Sequence, residues 1–517
     1  MIIEGRGLFM KINQLKAGAI ISYISMLLGY IISIAYTPIM IRLLGQSEYG
    51  LYNLVASLVS YLGLLSFGFG SAYMRYYSRY KVNNDQHNIA KLNGMFLIVF
   101  SAIGFIAILS GLILVFNIEP ILGKQLTMNE LHTAKILMII MVFNLALSFP
   151  VSIFKSYIMA NEKFVFQNLL QMIKIVANPF IMLPILLMGY KSIGMVIVTT
   201  ILTMSIDLAN LIFCFKKLKI RFVFYQFDFS LMMEMTVFSS YIFLNMIIDQ
   251  INWNVDKFIL GRLYGTVTVA IYGLAAQLNT YYLSLSTAIS NVFIPKVNRM
   301  VAAKNDSLEL TSLFTRIGRI QFIVLALILS GMAIFGKPFI IMWAGVDYHE
   351  AYPIVLILMI SATIPLIQNI GIEIQKAKNM HQFRSVVYFL IAIGNLFISI
   401  PLAKYYGGIG SAVGTAIAQI IGNIIIMNIY YSKKVGINIK YFWKEIFKFI
   451  PSLIVPTILG IIIYQTLDLF NIKVFIVAVL TYLITYIISM WLVGMNKFEK
   501  DLVRGPLMKM KLPIINK

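Results

Sequence analysis

The sequence predicts an all-α polytopic membrane protein, with about fourteen transmembrane helices in two pseudo-symmetric six-helix bundles and two extra C-terminal helices. Its composition is the first reason, because 60% of the 517 residues are hydrophobic and 12% are charged, whereas soluble domains carry about 25% charged residues. The hydrophobic residues also fall into runs of roughly twenty, the length that crosses a bilayer as a helix. Alternation in ten-residue segments, which is typical of membrane β-barrels, is absent. An internal repeat is the third reason.

The apolar runs define fourteen predicted spans, and most of the links between them are short. The spans lie near residues 17–41, 50–73, 93–117, 133–158, 165–188, 192–215, 235–260, 266–292, 319–345, 352–374, 384–404, 407–431, 447–466 and 472–494. No link is long enough to form a folded soluble domain.

The internal repeat joins the beginnings of two halves of the chain. Arg42-Leu43-Leu44-Gly45 returns 220 positions later as Arg262-Leu263-Tyr264-Gly265, and seven of seventeen aligned positions are identical. Further on, Asn178, Phe180 and Pro184 correspond to Asn395, Phe397 and Pro401. This similarity predicts a duplicated unit of about two hundred residues, as in many transporters. Six spans per unit would give both units one orientation, with a pseudo-twofold axis along the membrane normal and a central cavity between the two lobes.

The positive charges predict the orientation of the spans. Of the 42 Lys and Arg residues, 32 fall at the termini and on every second link, 8 fall on the opposite side and 2 lie within spans. The positive-inside rule therefore predicts that both termini are cytoplasmic. The same distribution explains the net charge of +22 by topology, so no nucleic-acid partner is predicted. The predicted segments are a cytoplasmic N-terminus (1–16), an N-lobe (17–215), a basic linker (216–234), a C-lobe (235–431), spans 13 and 14 with the preceding basic loop (432–494), and a cytoplasmic basic tail (495–517).

Several residue patterns that would indicate an enzyme are missing from the sequence. Cys214 is the only cysteine, and the four histidines are scattered without metal-ligand spacing. There is no Walker A motif, no Gly-x-Ser-x-Gly and no plausible triad. We therefore predict no catalytic residue, no metal and no cofactor. Because no motif for ATP hydrolysis is present, we expect any active transport by this chain to be driven by an ion gradient or the membrane potential.

Polar residues inside the predicted spans fall on helical faces. One face of span 5 carries Gln167, Gln171, Lys174 and Asn178; span 7 carries Asn245, Asp249, Asn252 and Asp256; span 4 carries Asn144, Ser148, Ser152 and Lys155; span 10 carries Asn369, Glu373 and Lys376. Asp207 stands alone in span 6. Such residues either hydrogen-bond across helix interfaces or face a water-filled cavity.

Two sets of candidate residues follow from these faces. The predicted substrate-binding set, in which cations would accompany a negatively charged head group, is Arg42, Arg75, Lys155, Gln171, Lys174, Asn178, Asn245 and Asn252. The predicted coupling or gating set is Asp207, Asp249, Asp256, Lys257 and Glu373. Other interpretations stay open at some positions. Asp256 and Lys257, like Arg42 and Arg262, could be solvated at the outer interface, and Arg75 could be an ordinary positive-inside anchor.

Four short stretches resemble a known family. The stretch 39–52 (IMIRLLGQSEYGLY) and the stretch 67–75 (FGFGSAYMR) resemble the N-terminal signature of bacterial polysaccharide flippases. The stretches 254–261 (NVDKFILG) and 271–275 (IYGLA) are similar to their second signature. These are Wzx-type O-antigen and capsule exporters of the multidrug/oligosaccharidyl-lipid/polysaccharide (MOP) superfamily.

The resemblance implies a MATE-like fold of two lobes and a location in the bacterial cytoplasmic membrane. It also implies a substrate, an undecaprenyl-diphosphate-linked oligosaccharide, which is moved between leaflets by alternating access while its tail stays among the membrane lipids. A coupling ion (H⁺ or Na⁺), a polysaccharide polymerase and glycosyltransferases are the implied partners.

Three other functions compete with this interpretation. A flippase for the peptidoglycan precursor is barely separable by sequence. A cation-coupled multidrug exporter of the same superfamily would be expected to carry acidic residues in its first helix, and span 1 has none. A membrane polymerase or ligase would be expected to carry a sizeable extracytoplasmic loop, and the outer links here stay near fifteen residues or fewer.

Overall fold

All regular secondary structure in the described part of the chain is helical. The computed structural model describes residues 14–123, 125–225, 227–303 and 307–510. The helices of the first half are α1 (Gln14–Leu44), α2 (Gln46–Leu62), α3 (Phe69–Val82), α4 (Gln86–Phe116), α5 (Ile118–Leu122), α6 (Met128–Ala160), α7 (Phe164–Leu187), α8 (Lys191–Lys216) and α9 (Phe229–Tyr264). Those of the second half are α10 (Thr266–Ala302), α11 (Ser307–Ala344), α12 (Ala351–Ile367), α13 (Ile370–Ala377), α14 (His381–Gln419), α15 (Met427–Tyr430), α16 (Ile439–Phe447), α17 (Ile450–Thr466), α18 (Ile472–Ser489) and α19 (Lys497–Met510).

The predicted membrane fold is confirmed. Among the described residues, eleven helices are long and apolar enough to cross a membrane, or twelve if α12 and α13, which meet at a 42° bend, form one span. One of the eleven runs over 54 residues, 382–435, or about 80 Å at 1.5 Å per residue. That length exceeds the roughly 30 Å hydrocarbon core more than twofold. Gly407, with φ 58° and ψ −136°, interrupts the helical path inside α14, at the first residue of predicted span 12.

The eighth predicted span falls on α10, which is 37 residues long but is not among the eleven apolar helices. The predicted spans lie largely in helix, with breaks at residues 67–68 in span 2 and 368–369 in span 10. The count of fourteen membrane crossings stays a prediction.

The internal repeat reappears in the backbone of the turns. Left-handed backbone conformations recur in the two halves at separations of 217 to 222 residues. The pairs are Gly45 and Gly265, Gly123 and Gly345, Glu162 and Asn379, Gly189 and Gly407, and Lys219 and Gly436. Gly45 (φ 80°, ψ 161°) and Gly265 (φ 81°, ψ −167°) adopt almost the same conformation, which is essentially restricted to glycine. This requirement explains why both copies of the repeated motif keep a glycine there.

The hydrogen bonds of these turns repeat as well. The Lys163 N–H donates to the Ile158 carbonyl at 3.1 Å, and 217 residues later the Met380 N–H donates to the Gln375 carbonyl at 2.8 Å. The Ile220 N–H reaches across six residues to the Cys214 carbonyl at 3.1 Å, and the Ile437 N–H does the same to the Tyr431 carbonyl at 3.0 Å. The duplication predicted from sequence is thus matched by the local backbone geometry.

The chain divides into two compact units at the bond between Ala270 and Ile271. In the first unit an aromatic core joins α3, α4 and α6, with Tyr73, Phe96 and Phe154 buried in it. The helix α9 also belongs to this unit, where Phe243 stacks on Phe67 with ring centroids 4.4 Å apart. The contact boundary therefore lies one helix later than the predicted start of the C-lobe at residue 235. The lobe boundaries themselves rest on the sequence repeat and stay a prediction.

The second unit is fastened at one end by a buried arginine. Arg319 on α11 is 3% exposed, and all five of its N–H bonds point to acceptors. Nε and Nη2 donate to the Glu499 carboxylate at 2.6 and 3.0 Å, and Nη2 also donates to the Gly494 carbonyl at 3.0 Å. Nη1 donates to the Glu445 carbonyl at 2.7 Å and to its carboxylate at 3.5 Å. The guanidinium also lies 4.2 Å from the Phe449 ring centroid. Because Glu499 belongs to α19, its bonds to Arg319 dock the start of the predicted tail on α11.

Candidate functional site

A small, partly open cavity with both polar and apolar lining residues lies in the first unit, between α2, α6 and α8. Its volume is about 290 Å³, large enough for several waters or a small polar group. We call it the threonine cavity because α8 contributes three threonines to its wall. Its polar lining residues are Tyr52, Ser60, Asn144, Ser148, Thr199, Thr200 and Thr203. Two of them, Asn144 and Ser148, belong to the polar face predicted for span 4.

Lys174 reaches the threonine cavity from α7. Its Nζ donates to the Thr203 hydroxyl at 3.0 Å, and that hydroxyl in turn donates to the Thr199 carbonyl at 2.8 Å. The Lys174 side chain is half-buried. A lysine ammonium has three N–H donors, and one of them is used within the described part of the chain. Lys174 therefore keeps donors for a further partner.

Two more charged residues surround Lys174. Asp207 lies one helical turn beyond Thr203 on α8, and both Asp207 and Lys155 of α6 act electrostatically on the Lys174 ammonium. Asp207 is half-buried and Lys155 is exposed. Asp207 is the only acidic residue of predicted span 6, and the two cations that act on it come from neighbouring helices. A carboxylate and two ammonium groups carry a net positive charge, which favours an anionic ligand.

The other polar residues of α7 divide into two kinds. Gln167 is 9% exposed and donates through Nε2 to the Asn210 side-chain oxygen at 2.8 Å. This bond is an inter-helix contact, the structural interpretation that the sequence left open. Gln171 is exposed and Asn178 is half-buried. Their predicted role in binding stays a prediction.

The polar face of α9 varies in burial along its length. Asn245 and Asp249 are exposed, and Asn252 and Lys257 are half-buried. Asp256 is only 3% exposed, so the interpretation of Asp256 as a solvated interface residue is wrong.

Sequence reasoning missed Gln250 on the same helix. Its amide exchanges hydrogen bonds with Ser60 of α2, at 3.0 Å from the Ser60 hydroxyl to Oε1 and 3.1 Å from Nε2 to the Ser60 carbonyl. These bonds hold α9 at the edge of the threonine cavity.

The remaining candidates do not lie at the threonine cavity. Arg42 is exposed. Arg75 is exposed and lies 4.5 Å from the Phe238 ring centroid on α9. Glu373 accepts a hydrogen bond at 2.8 Å from Lys376 on the same short helix, α13. That ion pair neutralises the carboxylate locally.

Sequence reasoning also missed the threonines that line the cavity. Thr199, Thr203 and Asp207 stand at successive spacings of four, so they share one helical face. The signal was weak because a threonine hydroxyl in a membrane helix is satisfied by its own preceding turn, as the Thr199 bond to the Met195 carbonyl at 2.8 Å shows. The structure, rather than the spacing, identifies this face as the wall of a cavity.

The apolar helices and the duplicated topology are typical of polytopic membrane transporters. The sequence profile of the family described as "Polysaccharide biosynthesis protein" matches residues 15–301, which is more than half of the chain. The chain therefore belongs to the polysaccharide biosynthesis protein family. The comparison with curated proteins found no match.

Solved structures show the same fold. A structure described as "Lipid II flippase MurJ, inward closed conformation" is 17% identical, with 94% of this chain and 99% of that chain covered and a TM-score of 0.72. A mutant of the Vibrio cholerae MATE transporter VcmN is 18% identical, with 82% and 98% covered and a TM-score of 0.55. A MOP superfamily transporter from Pyrococcus furiosus is 13% identical, with 81% and 97% covered and a TM-score of 0.54. At these identities the likeness establishes the fold, and the MOP-type architecture predicted from the sequence is confirmed.

Proposed function

We propose that the chain is a flippase that moves an undecaprenyl-diphosphate-linked oligosaccharide between the leaflets of the bacterial cytoplasmic membrane. Membership of the polysaccharide biosynthesis family and the MOP fold support the general class. The observation that carries the substrate choice is the cationic group at the threonine cavity. Lys174 and Lys155 outnumber Asp207 there, and a diphosphate head group needs cationic partners when it leaves bulk water.

In this proposal Lys174 exchanges partners during transport. Without substrate its ammonium is held by the Thr203 hydroxyl and by the field of Asp207. An arriving diphosphate offers stronger, charge-assisted hydrogen bonds to the unused Lys174 donors. When the head group leaves on the other side, Asp207 again compensates the lysine charge. The two repeats would alternate in access, both termini would face the cytoplasm, and H⁺ or Na⁺ would couple the return step.

A peptidoglycan-precursor flippase is the second candidate function. The observation that favours it is the fold similarity to the lipid II flippase MurJ over nearly the full length of both chains. Both candidate substrates would join a sugar to a lipid through a diphosphate, so the same cationic group would serve either. A multidrug exporter would instead carry substrates without a diphosphate.

Reconstitution into proteoliposomes tests the proposal. Purified full-length protein is expected to speed the appearance of an undecaprenyl-diphosphate oligosaccharide in the outer leaflet, measured by its accessibility to an added glycosidase. Lipid II and a cationic dye are assayed in parallel. Movement of lipid II alone would favour the second candidate, and movement of the dye alone would contradict both.

A further inference from the structure

We propose that a second, separate cavity in the first unit binds a phosphate-bearing anion through Lys219 and Arg221. This cavity, called here the link cavity, has a volume of about 770 Å³. It lies between the start of α4, the end of α6 and the link that follows α8. Its polar lining includes Gln86, His87, Asn93 and Tyr157, together with the two cations of the link.

The link that carries the two cations is held firmly in place. The Val223 N–H donates to the Ala90 carbonyl at 3.0 Å, and the Asn93 side-chain amide donates to the Arg221 carbonyl at 2.9 Å. Asn93 is fully buried, and its oxygen accepts from the Tyr73 hydroxyl at 2.7 Å. Because these bonds use backbone atoms of the link, they fix its path while leaving the Lys219 and Arg221 side chains available.

The charges around the link cavity leave these two cations uncompensated. Neither side chain makes a hydrogen bond or an ion pair within the described part of the chain, and both are exposed. The acids nearby are already engaged. Asp85 accepts from the Asn88 backbone and side-chain amides at 3.0 and 2.6 Å, and these bonds hold the pKa of its carboxyl below the usual value. Asp228 pairs with Lys91 at 3.4 Å.

The internal repeat shows that the fold does not require these cations. Lys219 has a left-handed backbone with φ 51°, which a non-glycine residue adopts only at a cost. The equivalent residue of the second repeat is Gly436, with φ 82°, and the same long hydrogen bond closes both turns. Arg221 corresponds in the same way to Asn438. The first repeat thus keeps a strained lysine where glycine suits the turn better, which indicates a role for the side chain beyond folding.

The chemistry of the site selects phosphate. An arginine fork and a lysine point charge are the usual protein partners of phosphate oxygens, and the exposed Gln86 amide beside them adds a further polar partner. A volume of about 770 Å³ suits a lipid head group or a nucleotide-sized molecule. Such a ligand could come from the lipid leaflet or from solution. This site shares no lining residue with the threonine cavity, so it does not depend on the proposed transport function.

The test uses the full-length protein in nanodiscs of neutral phosphatidylcholine. Inorganic pyrophosphate is titrated by calorimetry as the soluble probe. For the lipid probe the same protein is purified from mixed micelles that contain phosphatidylglycerol, and the lipid molecules it retains are counted by native mass spectrometry. The double variant Lys219→Gly with Arg221→Asn introduces the residues of the second repeat and is expected to fold at least as well as the wild type. Its matched control, Lys216→Gln with Lys217→Gln, removes the same charge from exposed positions of the same segment.

We expect the double variant to weaken binding of at least one probe about tenfold or more, because hydrogen bonds to charged groups are lost, while the control stays within about twofold. Loss of pyrophosphate binding alone assigns a soluble ligand, and loss of phosphatidylglycerol retention alone assigns a lipid. If the double variant does not fold, Arg221→Asn alone is measured in its place. Equal binding of both probes by variant, control and wild type would overturn the proposal.

Discussion

Two charged clusters of this chain, one in each compact unit, differ in how completely their hydrogen bonds are used. In the second unit all five N–H bonds of Arg319 reach acceptors, the side chain is 3% exposed, and an aromatic ring covers it. In the first unit Lys174 is half-buried and donates one hydrogen bond, to Thr203. A saturated buried cluster has no capacity left for a ligand. The Lys174 cluster has spare donors and a cavity beside it, so a functional role is expected there.

The contrast also follows from the chemistry of the two cations. Arginine offers a rigid fork that matches a carboxylate in two parallel bonds, as it does with Glu499 here. Lysine is a compact charge on a flexible stem and exchanges partners easily. The chain thus uses arginine where a tail is fastened and lysine where a partner would come and go.

The largest expected effect comes from removing the saturated cation. Arg319→Ala leaves the buried Glu499 carboxylate without its cation, while Glu445 keeps Lys448, and should lower the free energy of unfolding by about 3–5 kcal/mol. Thermal and denaturant unfolding in detergent would measure the loss. Lys448→Ala removes an exposed partner of Glu445 and serves as the control, with an expected change below about 1 kcal/mol. Comparable losses of unfolding free energy in Arg319→Ala and Lys448→Ala would contradict the view that the saturated Arg319 cluster is the main fastening of the second unit.

A smaller effect separates the two acids that hold Arg319. Glu499→Gln weakens the two short bonds and should cost about 1.5–3 kcal/mol. Glu445→Gln should cost less than about 1 kcal/mol, since its carboxylate lies at 3.5 Å and its shorter contact, at 2.7 Å, is made by the backbone carbonyl. The same unfolding measurement ranks the two variants, and the reverse order would show that the short bonds do not dominate.

The sequence predicted the helices and the duplication well, because apolar runs and motif spacing are local signals. It could not predict the role of Arg319, whose two acids lie 126 and 180 residues away along the chain. The charged and polar faces of α7 and α8 could be predicted only in part from the sequence. Lys174 stood out as a charge inside a span, but spacing alone could not show that Asp207 and Lys155 reach it from two other helices. The alternative that Asp256 is solvated at the outer interface was wrong, because distance from a span end says little about which helix covers a side chain.

The smallest expected effect on stability belongs to the cation with spare donors. Lys174→Ala gives up one hydrogen bond at a half-buried site, so the free energy of unfolding should change by about 1 kcal/mol or less. Lys135→Ala, which removes an exposed lysine from α6, should be equally mild and is the matched control. A loss as large as that of Arg319→Ala would show that Lys174 is a structural residue.

Transport by these two lysine variants tests the central claim most directly. Wild type, Lys174→Ala and Lys135→Ala are reconstituted at equal protein levels, and the initial rate of movement of the undecaprenyl-diphosphate oligosaccharide is measured. We predict at least about a tenfold loss for Lys174→Ala, with the Lys135→Ala rate within about twofold of wild type. A Lys174→Ala rate equal to that of wild type would contradict the assignment of the cation beside the threonine cavity to substrate movement.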